Sequence, residues 1–196
     1  MDDTGPGGIK RQTVEARELI LIIGGARAGK SAFASRLAED IASSIGGHIA
    51  FIATAEPLDD EMRARIEKHR SERPSGWITI EEPYDLAAGL RRASTARIVI
   101  VDCFTLFVSN GLLANDDYES GQADIDAAIR SFLATFSSKN QTVICVSNEV
   151  GLGLVPDTPL GRVYRDCLGK VNQILAMSAN RVYWLVAGIP VQIKPR

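Results

Sequence analysis

An apolar run at residues 19–23, LILII, leads directly into the glycine-rich segment GGARAGKS at residues 24–31. The segment fits the pattern G-x-x-x-x-G-K-[ST], in which backbone N–H groups of a turn surround phosphate oxygens. The amphipathic stretch KSAFASRLAEDIAS follows at once, so the strand, turn and helix that the pattern requires stand in order. The sequence therefore predicts a phosphate-binding loop at the end of a buried strand; a glycine-rich turn without a ligand is the alternative.

Apolar runs alternate with amphipathic segments along the rest of the chain. The runs are continuously apolar, which is typical of strands covered on both faces. The predicted strands are residues 19–23, 48–54, 77–82, 97–102, 142–147 and 181–187, and the predicted helical segments include residues 30–43, 59–70, 124–136 and 160–180. Residues 113–124 are expected to form a mobile loop. The alternation predicts an α/β fold: a single P-loop NTPase-like domain with a mostly parallel sheet and helices on both faces.

Length and composition exclude several classes of protein. The chain has 196 residues, 45% of them hydrophobic, and a formal net charge of −2, so it lacks a basic footprint for nucleic acid. No apolar run approaches the roughly 20 residues that span a bilayer. We expect residues 1–18 to form a flexible lead-in and residues 19–196 to form one nucleotide-binding domain. The widely spaced Cys103, Cys145 and Cys167 indicate buried thiols in a cytoplasmic protein.

The predicted loop suggests a nucleotide and a magnesium ion as ligands. Lys30 is expected to contact the β- and γ-phosphates, and the Ser31 hydroxyl to ligate Mg²⁺. Asp102 ends the predicted strand RIVIVD, at the sheet edge where ligands of such folds bind, and there it can be a second magnesium ligand. The alternative for Asp102 is a cap of the following segment, TLFVSN.

The chain contains two histidines, His48 and His69. His48 precedes a predicted strand, and we interpret it as a turn residue. Met62, Ile66 and His69 are spaced i, i+4 and i+7 in the segment DDEMRARIEKHR, which predicts that they share an inward, apolar face. The basic residues around His69 favour an anionic ligand instead, and histidine can act as a nucleophile. The residues alone leave a core role and a catalytic role open.

Five stretches together resemble one known family, the bifunctional adenosylcobinamide kinase / adenosylcobinamide-phosphate guanylyltransferases of cobalamin biosynthesis. They occur in family order and cover nearly all of the chain from Leu19 to Lys194: LIIGGARAGKSAFASRLA, FIATAEPLDDEMRARIEKHRSERPSGWITIEEP, VDCFTLFVSN, VSNEVGLGLVPDTPLGRVYRDCLGKVNQILA and VYWLVAGIPVQIK. This combination is more specific than a phosphate-binding loop alone.

The resemblance implies two reactions. The first transfers the γ-phosphate of ATP or GTP to the aminopropanol hydroxyl of adenosylcobinamide. The second transfers GMP from GTP to that phosphate, releasing pyrophosphate and giving adenosylcobinamide-GDP. In the family a histidine of a KHRSERP-type segment holds the GMP as a phosphoramidate, and this histidine is His69 here. The resemblance also implies Mg²⁺ with the nucleotides and a homo-oligomer, specifically a trimer.

The resemblance also identifies site residues. His69 and Lys30 are the catalytic pair. The family's nucleotide contacts correspond to Gly24, Gly25, Ala26, Arg27, Ala28, Gly29, Lys30, Ser31, Ala53, Thr54, Ala55, Arg70, Ser71, Glu72, Arg73, Pro74, Asp102 and one of Glu81 and Glu82. Some family members carry Glu where Asp102 stands, so a metal ligand and a guanine contact are both open for it. The segment NEVGLGLVP, residues 148–156, is expected either to line a groove for the corrin substrate or to form a plain connection.

Two other functions are compatible with the predicted loop. One is a monofunctional small-molecule kinase in which His69 is structural, and the other is a non-catalytic sensor that binds GTP. Covalent labelling by GTP and turnover of adenosylcobinamide distinguish all three functions.

Overall fold

The computed structural model describes residues 17–195, which form a single α/β unit. Its strands are β1 Glu18–Gly24, β2 Ile49–Ala53, β3 Ile78–Glu81, β4 Ile98–Asp102, β5 Thr142–Val146, β6 Arg181–Val186 and β7 Ile189–Lys194. Its helices are α1 Lys30–Ile45, α2 Asp60–Ser71, α3 Leu86–Arg92, α4 Phe104–Leu113, α5 Tyr118–Ser137 and α6 Pro159–Ser178. The described strands form one sheet in the order β3-β2-β4-β5-β1-β6-β7. Strands β1 to β6 pair in parallel, and β7 is antiparallel to β6.

Hydrophobic clusters cover both faces of the sheet. Side chains alternate along a strand, so Leu19 and Leu21 of β1 belong to the cluster on the face covered by α3, α4, α5 and α6, whereas Ile20 and Ile22 belong to the cluster beneath α1. All four side chains are fully buried. Burial on both faces explains why the strand is apolar throughout, and the predicted α/β fold with helices on both faces is confirmed.

The structure contains three elements that the sequence pattern did not predict: α3, α4 and β7. The predicted mobile loop, residues 113–124, is wrong in its second half, because α5 begins at Tyr118. Asp117 caps this helix by accepting a hydrogen bond from the Ser120 amide at 2.8 Å. Gly121 is buried where a Cβ would lie 3.3 Å from Leu112 of α4. The glycine that suggested a loop therefore allows two helices to approach closely.

An ion pair joins the neighbouring strands β1 and β6 at the amino-terminal end of the sheet. The Arg181 guanidinium donates to both carboxylate oxygens of the buried Glu18, at 2.7 and 2.9 Å.

Residues 1–16 of the predicted lead-in lie outside the described residues. Its last residue, Glu18, is the first residue of β1. No helix within residues 17–195 is both long and apolar enough to cross a membrane.

Candidate active site

The turn between β1 and α1 depends on two unusual backbone positions. Arg27 and Gly29 adopt left-handed conformations, with φ of 56° and 88°. Gly24 is required for a different reason, because a Cβ at this position would lie 2.5 Å from the carbonyl oxygen of Leu185 in β6. The glycines therefore allow the turn to curl tightly above the edge of the sheet.

Two neighbouring loops hold this turn in place. The Glu149 amide, beyond β5, donates to the Gly24 carbonyl at 3.0 Å, and the Gly188 amide of the β6–β7 turn donates to the Ala28 carbonyl at 3.1 Å. These contacts connect the glycine-rich turn to both neighbours of β1 in the sheet. Sequence reasoning missed the second contact, although a two-residue Ala-Gly turn between apolar runs is a hairpin signal.

Lys30 opens α1 and folds back over the turn. Its Nζ donates to the Gly25 carbonyl at 2.7 Å, and the residue is buried. Burial lowers the pKa of Lys30, while the neighbouring Cys103 and Asp102 act in the opposite direction. The amino end of α1 adds its dipole at the same place, and a cation beside a helix amino terminus favours an anion such as phosphate.

Asp102 and Glu81 occupy one row of the sheet. Asp102 of β4 is in register with Ala53 of β2 and Val146 of β5, and Ala53 is in register with Glu81 of β3. Residues in register on neighbouring strands point to the same face. Because Ala53 and Val146 belong to the cluster beneath α1, both acidic residues lie on the face that carries the glycine-rich turn.

The surroundings of Asp102 are strongly polar. Burial raises the pKa of its carboxyl group. A hydrogen bond and three nearby basic groups act in the opposite direction, in order of decreasing effect: Ser31, His69, Lys30 and Arg73. Predicted site residues from the turn, from α2 and from the segment after α2 therefore meet around one carboxylate.

Asp102 does not cap the following helix. The N-cap residue of α4 is Cys103, whose side chain makes no capping hydrogen bond with any described residue. The fully buried Thr54 holds this junction instead: its hydroxyl donates to the Cys103 carbonyl and accepts from the Cys103 amide, at 2.8 and 2.7 Å. The Thr54 amide also donates to the Asp102 carbonyl at 3.2 Å. The Thr54 hydroxyl thus fixes the end of β4 rather than facing the turn.

The donor atoms at this place suit a magnesium ion. The Ser31 hydroxyl lies near the Asp102 carboxylate and opposes the rise in its pKa, and both groups are hard oxygen ligands. Within residues 17–195 no group of three or more His, Cys, Asp or Glu side chains is arranged to hold a metal. Two oxygen donors fit Mg²⁺, which usually keeps several waters and takes further ligands from substrate phosphates.

His69 lies outside the hydrophobic core. Every residue of α2 is described and none is buried, and the His69 side chain is 50% exposed. The predicted inward, apolar face is therefore wrong: α2 is rich in charged residues, and Met62 and Ile66 are only partly buried. The nearest acidic partner of the His69 Nδ1 is Glu72, at 3.9 Å. The imidazole is therefore exposed, on a helix whose carboxyl end lies near Asp102.

Glu81 and Glu82 lie on opposite faces of the sheet. Alternation along β3 places Glu81 on the face of the glycine-rich turn, where its Oε1 lies 3.6 Å from the Arg70 Nη1. Glu82 faces the other way, accepting a hydrogen bond from the Asp85 amide at 3.0 Å and pairing with Arg92 of α3 at 3.4 Å. Of the two candidates, Glu81 is the one beside the segment after His69.

The remaining predicted contacts lie around the rim. Ala26 and Arg27 are exposed on the turn, and Ala55 is partly buried just beyond Thr54. The Ser71 hydroxyl donates to the Lys68 carbonyl inside α2, and the Pro74 carbonyl accepts from the Trp77 amide. These groups are occupied within their own segment.

Arg73 makes a contact that the sequence did not reveal. Its guanidinium carbon lies 3.8 Å from the centroid of the Phe51 ring, and Phe51 stacks on Trp77 at 6.5 Å between centroids. The sequence signal for this contact is a pair of aromatic residues, Phe51 and Trp77, on either side of the basic segment that ends at Arg73. That signal is weak, because strand aromatics are more often part of the core.

Comparison with solved structures agrees with the fold. The flagellar accessory protein FlaH from Methanocaldococcus jannaschii superimposes with a TM-score of 0.50 at 15% identity, over 91% of this chain and 79% of that one. A KaiC-like protein from Pyrococcus horikoshii gives a TM-score of 0.50 at 16% identity, over 87% and 71% of the two chains. At these identities the likeness concerns the fold alone.

Comparison of sequences is more specific. The chain is 43% identical to the bifunctional adenosylcobalamin biosynthesis protein CobP of Pseudomonas aeruginosa, over 89% of this chain and 96% of that protein. It is 40% identical to the bifunctional adenosylcobalamin biosynthesis protein CobU of Escherichia coli, over 90% and 99% of the two chains. The family described as cobinamide kinase / cobinamide phosphate guanyltransferase matches residues 20–193. The chain belongs to this family of transferases.

Proposed function

We propose that this protein phosphorylates adenosylcobinamide and then transfers GMP from GTP to the product. The observation that carries the proposal is the convergence of Lys30, Ser31, His69 and Arg73 on the carboxylate of Asp102. One phosphate-binding turn and one exposed histidine beside it are the parts that the two successive transfers need.

The first transfer uses the glycine-rich turn. The aminopropanol hydroxyl attacks the γ-phosphorus of ATP or GTP, the bond to the β-phosphate oxygen breaks, and the hydroxyl proton is released. Lys30 and the backbone amides of the turn stabilise the charge on the transferring group, and such transfers depend mainly on positioning and charge. When bound, Mg²⁺ supplies further charge neutralisation, with Ser31 and Asp102 as the residues that would hold it.

The second transfer uses His69 as the nucleophile. A ring nitrogen attacks the α-phosphorus of GTP, pyrophosphate leaves, and GMP is bound as a phosphoramidate. An oxygen of adenosylcobinamide phosphate then attacks the same phosphorus, which releases the imidazole and forms adenosylcobinamide-GDP. Because the Nδ1 faces Glu72, we assign the Nε2 as the attacking atom. Arg70 and Arg73 would stabilise the departing pyrophosphate.

We place the corrin substrate along the loop that follows β5. This loop leaves Leu152, Leu154 and Val155 exposed, the second of them by 96%. Beside it, a cavity of about 510 Å³ lies between the end of β1 and α6, with Ile23, Glu149 and Gly169 in its wall. Exposed apolar side chains next to a recess suit a large, partly apolar ligand.

We also propose that the protein is a cytoplasmic homotrimer. Trimers are expected from the family resemblance, and the edge strand β7 supports self-association because Ile189, Val191 and Ile193 expose large apolar surfaces. A reducing compartment agrees with three cysteines that all carry free thiols in the described chain.

The test of this function is replacement of His69, with the second histidine as control. His69→Ala should abolish covalent labelling by GTP labelled at the α-phosphate, and with it formation of adenosylcobinamide-GDP, while much of the γ-phosphate transfer remains. His48→Ala should change neither activity, because His48 is exposed just before β2, at the opposite edge of the sheet. The label on the wild-type protein should be lost in mild acid and survive alkali, as a phosphoramidate does.

The outcomes distinguish the alternative functions. Phosphate transfer without any label would indicate a monofunctional kinase. Tight GTP binding without turnover of adenosylcobinamide would indicate a sensor. Labelling that persists in His69→Ala would place the nucleophile on another residue.

A further inference from the structure

The helix that carries His69 lies outside the hydrophobic core. Every residue of α2 is described and none is buried, and none of its side chains belongs to either hydrophobic cluster. Its amino end is closed locally, where Asp59 accepts a hydrogen bond from the Met62 amide at 2.7 Å. Something other than core packing must therefore fix the position of His69.

The carboxyl end of α2 and the segment after it contact the sheet through two arginines. Arg70 pairs with Glu81 at 3.6 Å, but both side chains are more than half exposed, and such pairs hold a helix weakly. Arg73 makes two contacts: its Nη1 donates a long hydrogen bond of 3.5 Å to the exposed Thr79 hydroxyl of β3, and its guanidinium lies over the ring of Phe51, 3.8 Å from the centroid. Phe51 is only 7% exposed, and Trp77 packs against it.

A cation over an aromatic face is held in both distance and orientation. The attraction depends on the quadrupole of the ring, and it increases when the pair is shielded from water. Burial lowers the pKa of Arg73, and the charge of Asp102 acts against this effect. The contact therefore fixes the guanidinium over the Phe51 ring, near enough to the candidate active site for the charge of Asp102 to act on it.

A short, hydrogen-bonded link joins this contact to His69. The Arg73 amide donates to the Arg70 carbonyl at 3.3 Å, and the Glu72 amide donates to the Lys68 carbonyl at 3.1 Å. The backbone thus continues as a turn from the last residues of α2 to Arg73. If Arg73 is fixed, the turn that carries His69 is fixed with it.

We infer that Phe51 is a positioning residue for guanylyl transfer, whose ring holds Arg73 and thereby keeps His69 beside the phosphate-binding turn. The inference rests on the proposed role of His69. A leucine at this position of β2 would fill similar space. It would have no aromatic face to hold Arg73, so it could not supply this function. The γ-phosphate transfer depends on the turn itself and needs this contact less.

The experiment compares Phe51→Leu with Phe51→Tyr, which keeps an aromatic face. Small misplacements of a reacting group can cost about a hundredfold in rate. We expect Phe51→Leu to slow single-turnover labelling by GMP at least about tenfold more than it slows phosphate transfer, and Phe51→Tyr to restore labelling. Phe132→Leu is the matched control, because it removes a buried ring that packs edge-to-face against Phe104, away from Arg73. It should lower stability without separating the two activities.

A second measurement does not depend on activity. Trypsin cleaves after lysine and arginine, and Arg65, Lys68 and Arg70 are exposed on α2. Phe51→Leu should accelerate cleavage within α2 relative to wild type, Phe51→Tyr and Phe132→Leu. Equal cleavage rates, or equal slowing of both transfers in Phe51→Leu, would overturn the inference. A wild-type protein that takes no GMP label but shows faster cleavage in Phe51→Leu would overturn the role of His69 and leave the contact between Phe51 and α2 established.

Discussion

The hydroxyl of Ser31 lies near the carboxylate of Asp102 and opposes the rise in its pKa, although β5 lies between the strand that leads to Ser31 and the strand that ends at Asp102. A residue at the start of α1 therefore approaches the end of β4 across the width of one strand. The two oxygens lie where the turn, α2 and the edge of the sheet meet.

Asp102→Asn should slow both transfers by on the order of a hundredfold to a thousandfold, because the amide keeps the size of the side chain but loses the charge that holds a cation. The measurement is the rate of each transfer over a titration with Mg²⁺. Asp102→Glu, which keeps the charge, should retain most of the activity. If Asp102→Asn lost only the preference for GTP over ATP and kept its magnesium dependence, Asp102 would be a contact for the guanine base instead.

Lys30→Ala should also slow both transfers by on the order of a hundredfold or more, because a cation is lost from the β- and γ-phosphates. Lys139→Ala serves as the control, since Lys139 lies beyond α5 near the amino-terminal edge of the sheet. Steady-state rates with both nucleotides provide the measurement. Wild-type turnover by Lys30→Ala would contradict the assignment of the turn as a phosphate site.

Gly169→Leu tests the place proposed for the corrin substrate. A Cβ at Gly169 would meet no described atom within 4 Å, so a side chain can be added at this position in the wall of the cavity beside α6. The KM for adenosylcobinamide should rise by on the order of tenfold, with labelling of His69 by GTP unchanged. Ala127→Leu, on the exposed side of α5, is the control. An unchanged KM in Gly169→Leu would place the corrin elsewhere.

The proposed trimer predicts a definite mass in solution. Sedimentation at micromolar concentration should give about three times the chain mass of 21.2 kDa. Ile193→Lys, on the exposed edge strand β7, should shift the mass toward that of the monomer if this strand is part of the interface. A wild-type protein that sediments as a monomer would contradict the assembly and leave the chemistry unaffected.

Sequence patterns predicted the strands from β1 to β6 to within one or two residues, because most of them are continuous apolar runs buried on both faces. They missed β7, whose side chains are mostly exposed and which includes Pro190, so its composition does not distinguish it from a loop. They also misplaced His69, because the spacing of Met62 and Ile66 shows only that a helix could have an apolar face. Spacing does not show whether a surface exists to cover that face.

The sequence by itself determined the glycine-rich turn, the helix after it and the family, since all of these depend on residues close together in the chain or on matches along it. Only the tertiary structure decided that Ser31, Asp102, Arg73 and Glu81 share one face, that Glu82 does not, and that Phe51 lies under Arg73. The physical reason is that strand order and register are set by packing helices on both sides of the sheet. These long-range choices determine which strand ends meet, and local sequence carries little of that information.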